Sequence, residues 1–481
     1  MERYQIFSNL IWRFAERCGA QFVSFIVTIV LARMLTPEIY GTVALINVFT
    51  NILQVFVDSG LGNALIQKKD ADEIDFSTVF YTNLVFCGII YALLFLCAPL
   101  IAEFYHDSSL IFLIRLLGIT LLVSGVKNIQ QSYVSKNMLF KKFFFSTLGG
   151  TTTAALVGIG MAVLGYGVVA LVAQQLVNIT IDTIILWITV KWHPRKVFSF
   201  SRLKSLFSYG WKLLLSSLLD ILYNNSRQLI IGKLYSSSDL AYYNKGKEIP
   251  NYIVVNINSS IDSVLLPAMS NVQNNRCDLK NTTRRAIKSS VYIMAPLMIG
   301  LICTSDTVIK LILTEKWIGC VPYLRIFCIT FVFWPIHTAN LNAIKALGRS
   351  DLFLKMEIMK KSIGMVLLLS TMWFGPMVMA YSLLLNSVFS QLINSWPNKK
   401  LLDYGYAEQL KDVFPAIVLA IGMGMIVNVV PLWGLTTLLT LIIQVLLGMF
   451  IYVIGSKIFN IDSYAYLKDI CLTFLKNFRT N

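Results

Sequence analysis

The chain begins with an apolar run of membrane-spanning length, residues 10–41, that carries Arg13, Glu16 and Arg17. Their i, i+3, i+4 spacing places all three on one face of a helix. An ionised side chain near the bilayer centre costs roughly 2.5–3.5 kcal/mol, so it is kept where it faces water, a partner or a ligand. Two interpretations follow. The residues form an ion pair within the helix at its cytoplasmic end, with snorkelling stems, or a cationic patch that lines a polar path.

Other charged and polar residues also fall inside apolar runs. Lys212 lies at a depth similar to that of Arg13, and Arg227 lies near the outer end of the same run, beside Asn224, Asn225 and Gln228. Arg115 and Arg325 lie in the outer halves of two other runs. Each cation either lines a polar path or forms an ion pair between helices. The acidic residues available as partners are Asp58, Asp182, Asp220 and Asp262.

The composition identifies the class of protein. Of the 481 residues, 56% are hydrophobic and 14% are charged, whereas an ordinary soluble domain has about 25% charged residues. The chain is therefore a polytopic membrane protein. Its net charge of +16 is scattered over short loops, which argues against a nucleic-acid partner. The eight cysteines and three histidines have no metal-ligand spacing, so we expect no metal and no cofactor.

Fourteen transmembrane helices are predicted from apolar runs of about 17–25 residues. The runs lie near residues 10–34, 40–58, 78–101, 108–134, 143–164, 167–190, 207–231, 249–273, 289–310, 322–344, 356–374, 377–396, 413–430 and 433–456. With the N-terminus in the cytoplasm, 28 Lys and Arg residues fall inside and 6 outside. By the positive-inside rule, both termini are cytoplasmic.

A repeat divides the first twelve runs into two sets of six. Arg33 to Gly41 follows the first run and Lys233 to Ala241 follows the seventh, while similar turns at Gly165 and Gly375 precede the sixth and twelfth. Six is even, so the repeats are parallel. The predicted fold is all-α, with two six-helix lobes plus two C-terminal helices. The predicted parts are an N-lobe at 1–190, a basic cytoplasmic linker at 191–206, a C-lobe at 207–400, helices 13 and 14 at 401–458, and a cytoplasmic amphipathic tail at 459–481.

Several motifs in this order resemble the polysaccharide-transporter family. They are RMLTPEIYG from Arg33, DSGLGNALIQKKD from Asp58, PLIAEFY from Pro99, LGYGVVALV from Leu164, IIGKLYSSSDLAYYNKGKEIP from Ile230 and LLPAMSNVQ from Leu265. The family contains Wzx-type flippases, in the superfamily that also holds multidrug MATE exporters and the lipid II flippase.

The resemblance implies a MATE-like transporter that moves undecaprenyl-diphosphate-linked sugar repeats across the bacterial inner membrane by alternating access, for O-antigen, capsule or exopolysaccharide synthesis. Arginine suits a diphosphate because its planar fork pairs with phosphate oxygens at two points. We therefore expect the cations named above to contact the diphosphate, and the three amides to contact sugar hydroxyls. Glu16 and Asp220 are candidates for coupling to H⁺ or Na⁺, and otherwise balance arginines.

Beyond the lipid-linked substrate and membrane lipids, the resemblance implies polysaccharide polymerase and glycosyltransferases of the same pathway as partners. A MATE-type multidrug exporter is the alternative, but its mostly cationic ligands favour an excess of intramembrane acids. Here seven Lys and Arg residues are assigned to the spans rather than to the loops, against five firmly intramembrane acids, Glu16, Asp58, Asp182, Asp220 and Asp262. An enzymatic role is not expected, because the short outside loops leave no room for a catalytic domain.

Overall fold

Long helices make up nearly all of the chain. The computed structural model describes residues 3–58 and 61–480, and its helices group into two units, residues 1–241 and 242–481. The first unit holds α1 (Arg3–Met34), α2 (Pro37–Asp58), α3 (Leu61–Gln67), α4 (Glu73–Tyr105), α5 (Ser109–Lys136), α6 (Phe140–Val163), α7 (Val168–Thr189) and α8 (Phe200–Leu234). Helix α9 (Ser237–Asn271) begins in the first unit and continues in the second. The second unit continues with α10 (Arg276–Ile312), α11 (Val321–Val332), α12 (Trp334–Ala346), α13 (Ser350–Thr371), α14 (Pro376–Leu402), α15 (Tyr406–Val427), α16 (Thr437–Ile458) and α17 (Asp462–Thr480).

The predicted all-α membrane fold is confirmed. Each of the fourteen predicted runs coincides with one helix or, in the tenth run, with the consecutive pair α11 and α12. Within the described residues, eleven segments are long and apolar enough to cross a membrane. Helices α1, α8 and α13 fall outside that set, so the count of fourteen stays a prediction. The two units divide after Ala241, and α8 packs in the first of them against α2, α3 and α4. The five-part division drawn from the repeat also stays a prediction.

Local sequence explains the helix ends. The turn before α7 holds Gly165 at φ +82° and Gly167 at φ +53°, and Gly375 before α14 has φ +106°; glycine adopts such angles without a Cβ clash. The gap between the predicted runs 207–231 and 249–273 implied a loop, but α8 ends at Leu234 and α9 begins at Ser237. The polar residues of this stretch continue the helix, because a two-residue connection already reverses the chain direction.

The tenth predicted run, 322–344, is broken into two helices at Trp334-Pro335. Helix α11 ends at Val332, and Pro335 lies in the first turn of α12. Proline is tolerated there because the first backbone N–H groups of a helix have no partner within it. A short 3₁₀ helix, Glu315–Cys320, precedes α11.

We call the end of the helices that carries Arg33 the outer end and the opposite end the inner end, following the charge prediction. At the inner end of the first unit, Trp192 of the segment between α7 and α8 packs into an apolar cluster with Phe76 and Phe80 of α4. The Gln130 amide donates to the Trp192 carbonyl at 3.0 Å, and the Arg195 backbone N–H donates to Ser77 Oγ at 3.0 Å. These contacts hold the basic segment against its own unit.

A buried amide network joins α12, α14 and α15 in the second unit. Asn340 Nδ2 donates to Gln409 Oε1 at 2.8 Å, and Asn398 Nδ2 donates to Asn340 Oδ1 at 2.6 Å. All three side chains are inaccessible to solvent. Each of the three amides takes part in at least one hydrogen bond, so the network stabilises this helix packing, although Asn398 Oδ1 has no partner among the described residues.

Candidate functional site

Helix α8 carries a row of polar side chains through the depth of the first unit. Lys212, Ser216, Asp220, Asn224 and Gln228 follow one another at four-residue intervals, so each lies next to the one before it and the row winds gradually around the helix. Lys212 and Asn224 are exposed, and Asp220 and Gln228 are half-buried. Because lipid cannot solvate such groups, these side chains must be surrounded by water, by a polar ligand or by protein.

Arg227 is buried on the same side of α8. Its side chain is 4% exposed, and its Nε and Nη2 atoms have no hydrogen-bond partner among the described residues. Its neighbour Asn225 donates to the carbonyl of Ile221 at 2.8 Å, so that amide is engaged within the helix. A buried guanidinium with free donors is costly unless it binds an anion. Arg227 therefore has the features of an anion-binding residue.

The charged group of α1 forms the ion pair that was one of its two interpretations. Arg13 Nη1 lies 2.6 Å from Glu16 Oε2, and Thr147 Oγ1 of α6 donates to Glu16 Oε1 at 3.3 Å. The Arg13 guanidinium also lies 5.2 Å from the ring centre of Phe143. Arg17 belongs to α1, but its side chain lies outside the described residues. The Arg13 side chain is 39% exposed in this ion pair, so the protein covers it only in part.

Arg115 and Arg325 each have a partner on a neighbouring helix. Arg115 Nε donates to the Phe95 carbonyl at 3.3 Å, and its guanidinium lies 3.9 Å from the centre of the Phe95 ring. In the second unit, Arg325 Nε donates to Ser305 Oγ at 2.9 Å, and its guanidinium pairs with the Asp306 carboxylate. These contacts link α4 to α5 and α10 to α11. Each arginine therefore holds two neighbouring helices of its own unit together.

Three of the intramembrane acids also have partners within their own units. Lys127 of α5 forms a buried ion pair with Asp182 of α7. Asp58 accepts a hydrogen bond from Asn128 Nδ2 at 3.1 Å, and Asp262 accepts one from Asn342 Nδ2 at 2.7 Å. Asp306, the partner of Arg325, was missed from the sequence because it lies near the end of a predicted span. Its spacing of 19 residues from Arg325 gave no local signal.

The outer ends of α2 and α9 touch one another in the first unit. Ser238 Oγ donates to Glu38 Oε1 at 2.6 Å. A Cβ added to Gly41 would lie 1.8 Å from the carbonyl oxygen of Ser237, so only glycine permits this approach. The two segments are the ones matched by the sequence repeat, Arg33 to Gly41 and Lys233 to Ala241. Their contact was not predicted.

A second polar face, on α9 in the second unit, was also missed. Tyr252, Asn256, Ser259 and Ser263 are exposed and follow one another at i, i+4, i+7 and i+11, which is the spacing of one helix side. At its outer end, Glu248 accepts hydrogen bonds from Tyr252 OH at 2.9 Å and Lys245 Nζ at 2.7 Å. The periodicity was available in the sequence. An exposed polar side of a membrane-length helix indicates contact with water rather than with lipid.

The described residues contain no group of three or more His, Cys, Asp or Glu side chains positioned to hold a metal ion.

The fold and its polar helix faces define a polytopic membrane protein with features of a transporter. The chain belongs to the family described as "Polysaccharide biosynthesis protein", whose profile matches residues 30–322.

Known proteins resemble the chain over most of its length. It is 26% identical to the teichuronic acid biosynthesis protein TuaB of Bacillus subtilis, over 88% of each chain. It is 22% identical to the succinoglycan biosynthesis transport protein ExoT of Rhizobium meliloti, over 67% of this chain and 65% of that protein. Among solved structures, the lipid II flippase MurJ in an inward closed conformation matches with a TM-score of 0.76 at 15% identity, over 94% of this chain and 99% of MurJ. The last similarity concerns the fold.

Proposed function

We propose that this protein is a flippase that moves undecaprenyl-diphosphate-linked oligosaccharide repeats across the bacterial inner membrane for cell-surface polysaccharide synthesis. The observation that carries the proposal is the buried, unpartnered Arg227 beside the polar row of α8. The names of two relatives, the teichuronic acid biosynthesis protein TuaB and the succinoglycan biosynthesis transport protein ExoT, support the same substrate class.

The physical problem in this reaction is the passage of a diphosphate and a hydrophilic glycan through hydrocarbon. Desolvating an anion costs several kcal/mol even after relaxation, so the path must supply fixed positive charge and hydrogen-bond partners. Arg227 supplies a charge that stays protonated and donors arranged for phosphate oxygens. The amides and hydroxyls of α8 supply partners for sugar hydroxyls.

The other predicted residues take graded roles in this proposal. Arg17 and the exposed part of Arg13 receive the diphosphate at the inner end, and Lys212 and Arg227 contact it along α8. Arg115 and Arg325, which already have partners, hold neighbouring helices together. Asn224 and Gln228 contact the glycan. The amide group of Asn225 donates to the Ile221 carbonyl within α8, so its oxygen is left for the glycan. Glu16 and Asp220 remain the proposed sites for coupling to H⁺ or Na⁺.

Substitution of Arg227 tests the assignment. Arg227→Ala should lower transport about 10- to 150-fold, because a hydrogen bond to a charged group contributes roughly 1.5–3 kcal/mol. Arg227→Lys should restore part of it, since lysine keeps the charge and loses the fork. The measurement is the movement of a fluorescent undecaprenyl-diphosphate glycan in liposomes, followed with an impermeant quencher.

Arg349→Ala is the matched control for this experiment. Arg349 is exposed and pairs with Asp351 two residues away, so its loss removes the same charge without touching α8. Undiminished transport by Arg227→Ala in a well-folded preparation would remove Arg227 from the path. If the wild-type protein moves no lipid-linked glycan under any imposed ion gradient, the flippase proposal itself fails.

The proposed topology places both termini in the cytoplasm. Single cysteines within residues 136–142 and 191–204 should then resist an impermeant maleimide in intact cells. Cysteines at His106 and at residues 236–238 should react with it. Labelling of the 191–204 segment in intact cells would reverse the orientation, and permeabilised cells provide the accessibility control.

The proposal also distinguishes a flippase from a MATE-type exporter. A drug exporter should confer resistance to cationic compounds, and its activity should not depend on cationic side chains such as Arg227. Loss of surface polysaccharide without a change in drug sensitivity, after deletion of the gene, is the result expected for a flippase. Polymerase and glycosyltransferases of the same pathway are the proposed functional partners.

A further inference from the structure

The second unit contains a basic pocket formed by α10 and α17. This pocket lies between the inner end of α10 and the start of α17 and has a volume of about 370 Å³. Arg284, Arg285 and Lys288 line it from α10, and Asp462 and Tyr466 line it from α17. The pocket is therefore lined by three cations and one carboxylate.

Two of the three cations are already paired. Arg284 Nη2 lies 2.5 Å from Asp412 Oδ1, and Lys288 Nζ lies 2.5 Å from Asp462 Oδ2. Lys288 and its hydrogen bond hold the pKa of the Asp462 carboxyl below its usual value, so this carboxylate is ionised near neutral pH.

Arg285 is the surplus cation of the pocket. Its guanidinium lies 5.4 Å from the centre of the Tyr466 ring, and no carboxylate of the described residues lies within ion-pair distance of it. Stacking on tyrosine positions a guanidinium without neutralising it. Its donors therefore remain available to an incoming anion.

The shape and chemistry of the pocket fit a phosphate group. Guanidinium and ammonium groups bind phosphate oxygens by charge-assisted hydrogen bonds. The hydroxyls of Ser289 and Ser463 are also at the pocket wall and add neutral donors. Basic pockets at the cytoplasmic side of transmembrane helices are suited to anionic lipid head groups.

Helix α17 places this pocket beside a surface suited to a membrane. Its described part exposes Leu472, at 45%, and Lys468. The sequence continues with apolar residues at helical spacing and basic residues between them, a pattern typical of a helix that lies in the head-group region.

We propose that this pocket binds a phosphate group and that Arg285 is the residue that recognises it. The source of the phosphate is either the head group of an anionic membrane lipid or a soluble phosphate. The assignment rests on the pocket alone and does not require the flippase activity.

The test uses the purified full-length protein in phosphatidylcholine bilayers. The probes are phosphatidylglycerol, mixed with phosphatidylcholine in equal parts, and inorganic phosphate added to pure phosphatidylcholine. A ligand that binds only the folded state raises the unfolding temperature, and the rise grows with the ratio of ligand concentration to dissociation constant. A rise with phosphatidylglycerol alone identifies a lipid, and a rise with inorganic phosphate identifies a soluble source.

Three variants separate this site from general electrostatic attraction. Arg285→Gln should weaken binding about tenfold or more, as expected for losing charge-assisted hydrogen bonds. Arg276→Gln removes the same charge from the same end of α10, outside the pocket, where Arg276 donates to the Lys400 carbonyl at 2.8 Å. It should leave binding unchanged. Asp462→Asn removes the competing carboxylate and should strengthen binding.

Two outcomes would overturn the proposal. The first is the absence of any stabilisation by either probe. The second is an equal loss of binding in Arg285→Gln and Arg276→Gln. The opposite effect expected for Asp462→Asn guards against a variant that is merely destabilised.

Discussion

The contact between Gly41 and Ser237 gives the sharpest prediction for conformational change. A Cβ at position 41 would lie 1.8 Å from the Ser237 carbonyl oxygen and 2.4 Å from its carbonyl carbon. Both atoms belong to backbone, so no side chain can rotate away. Gly41→Ala therefore forces the outer ends of α2 and α9 apart.

The size of the effect follows from the overlap. Forcing one extra methyl group into a packed contact costs typically about 1–3 kcal/mol. Any conformer in which the two ends are separated escapes this cost. Gly41→Ala should therefore shift the equilibrium toward such conformers by roughly 5- to 150-fold. Alanine also stabilises helix α2 by about 0.8–1.0 kcal/mol relative to glycine. This gain is present whether or not the two ends touch, so it does not cancel the steric effect on the contact.

Cross-linking measures the shift. Cysteines at Thr36 and Ser237, placed in a chain whose eight native cysteines are replaced, should be joined by a bifunctional thiol reagent when the ends are together. Such a linker is preferable to a disulfide, which requires Cα atoms within about 7 Å. Gly41→Ala should lower the cross-linking rate. If the joined ends must separate during transport, cross-linking of the Gly41 protein should also stop glycan movement.

Gly88→Ala is the matched control, because a Cβ added to Gly88 in α4 meets no atom within 4 Å. It should change propensity without changing the cross-linking rate. Equal cross-linking rates in the Gly41 protein and Gly41→Ala would refute the steric argument. Unchanged transport by an efficiently cross-linked protein would refute a mechanism in which these ends separate.

Two further predictions concern stability. A hydrogen bond from Arg202 lowers the pKa of Asp72 from 3.8 to about 2. The stabilisation is therefore present above pH 3.8 and is lost as the pH falls toward 2. Arg202→Gln should move the acid unfolding transition, followed by tryptophan fluorescence, to higher pH, and an unmoved transition would contradict the assignment. In the buried pair, Asp182→Asn should destabilise the protein by about 3–5 kcal/mol while Lys127→Leu with Asp182→Leu restores most of the loss, as measured by thermal unfolding in detergent; equal destabilisation by the single and double variants would show that the ion pair is not the cause.

The sequence by itself determined the class of protein and the positions of its helices. Apolar runs of membrane length can satisfy their backbone hydrogen bonds in lipid only as helices or closed barrels, and their length and lack of strict alternation indicated helices. The turns at Gly165 and Gly375 were predictable because they depend on a few adjacent residues. Fine boundaries were less predictable, as α9 shows by extending through a stretch rich in polar residues.

Only the tertiary structure decided which charged residues have partners. Arg13 and Glu16 are close in sequence, so their pairing was one of two interpretations, but Arg325 and Asp306 lie on different helices. The same holds for Lys127 with Asp182 and for Gly41 with Ser237. A charge in an apolar run shows that some partner is required. Which partner it finds depends on the rotation and packing of several helices. Arg115 and Arg325 each bind a group on a neighbouring helix, whereas Arg227 is buried with its Nε and Nη2 unpaired among the described residues.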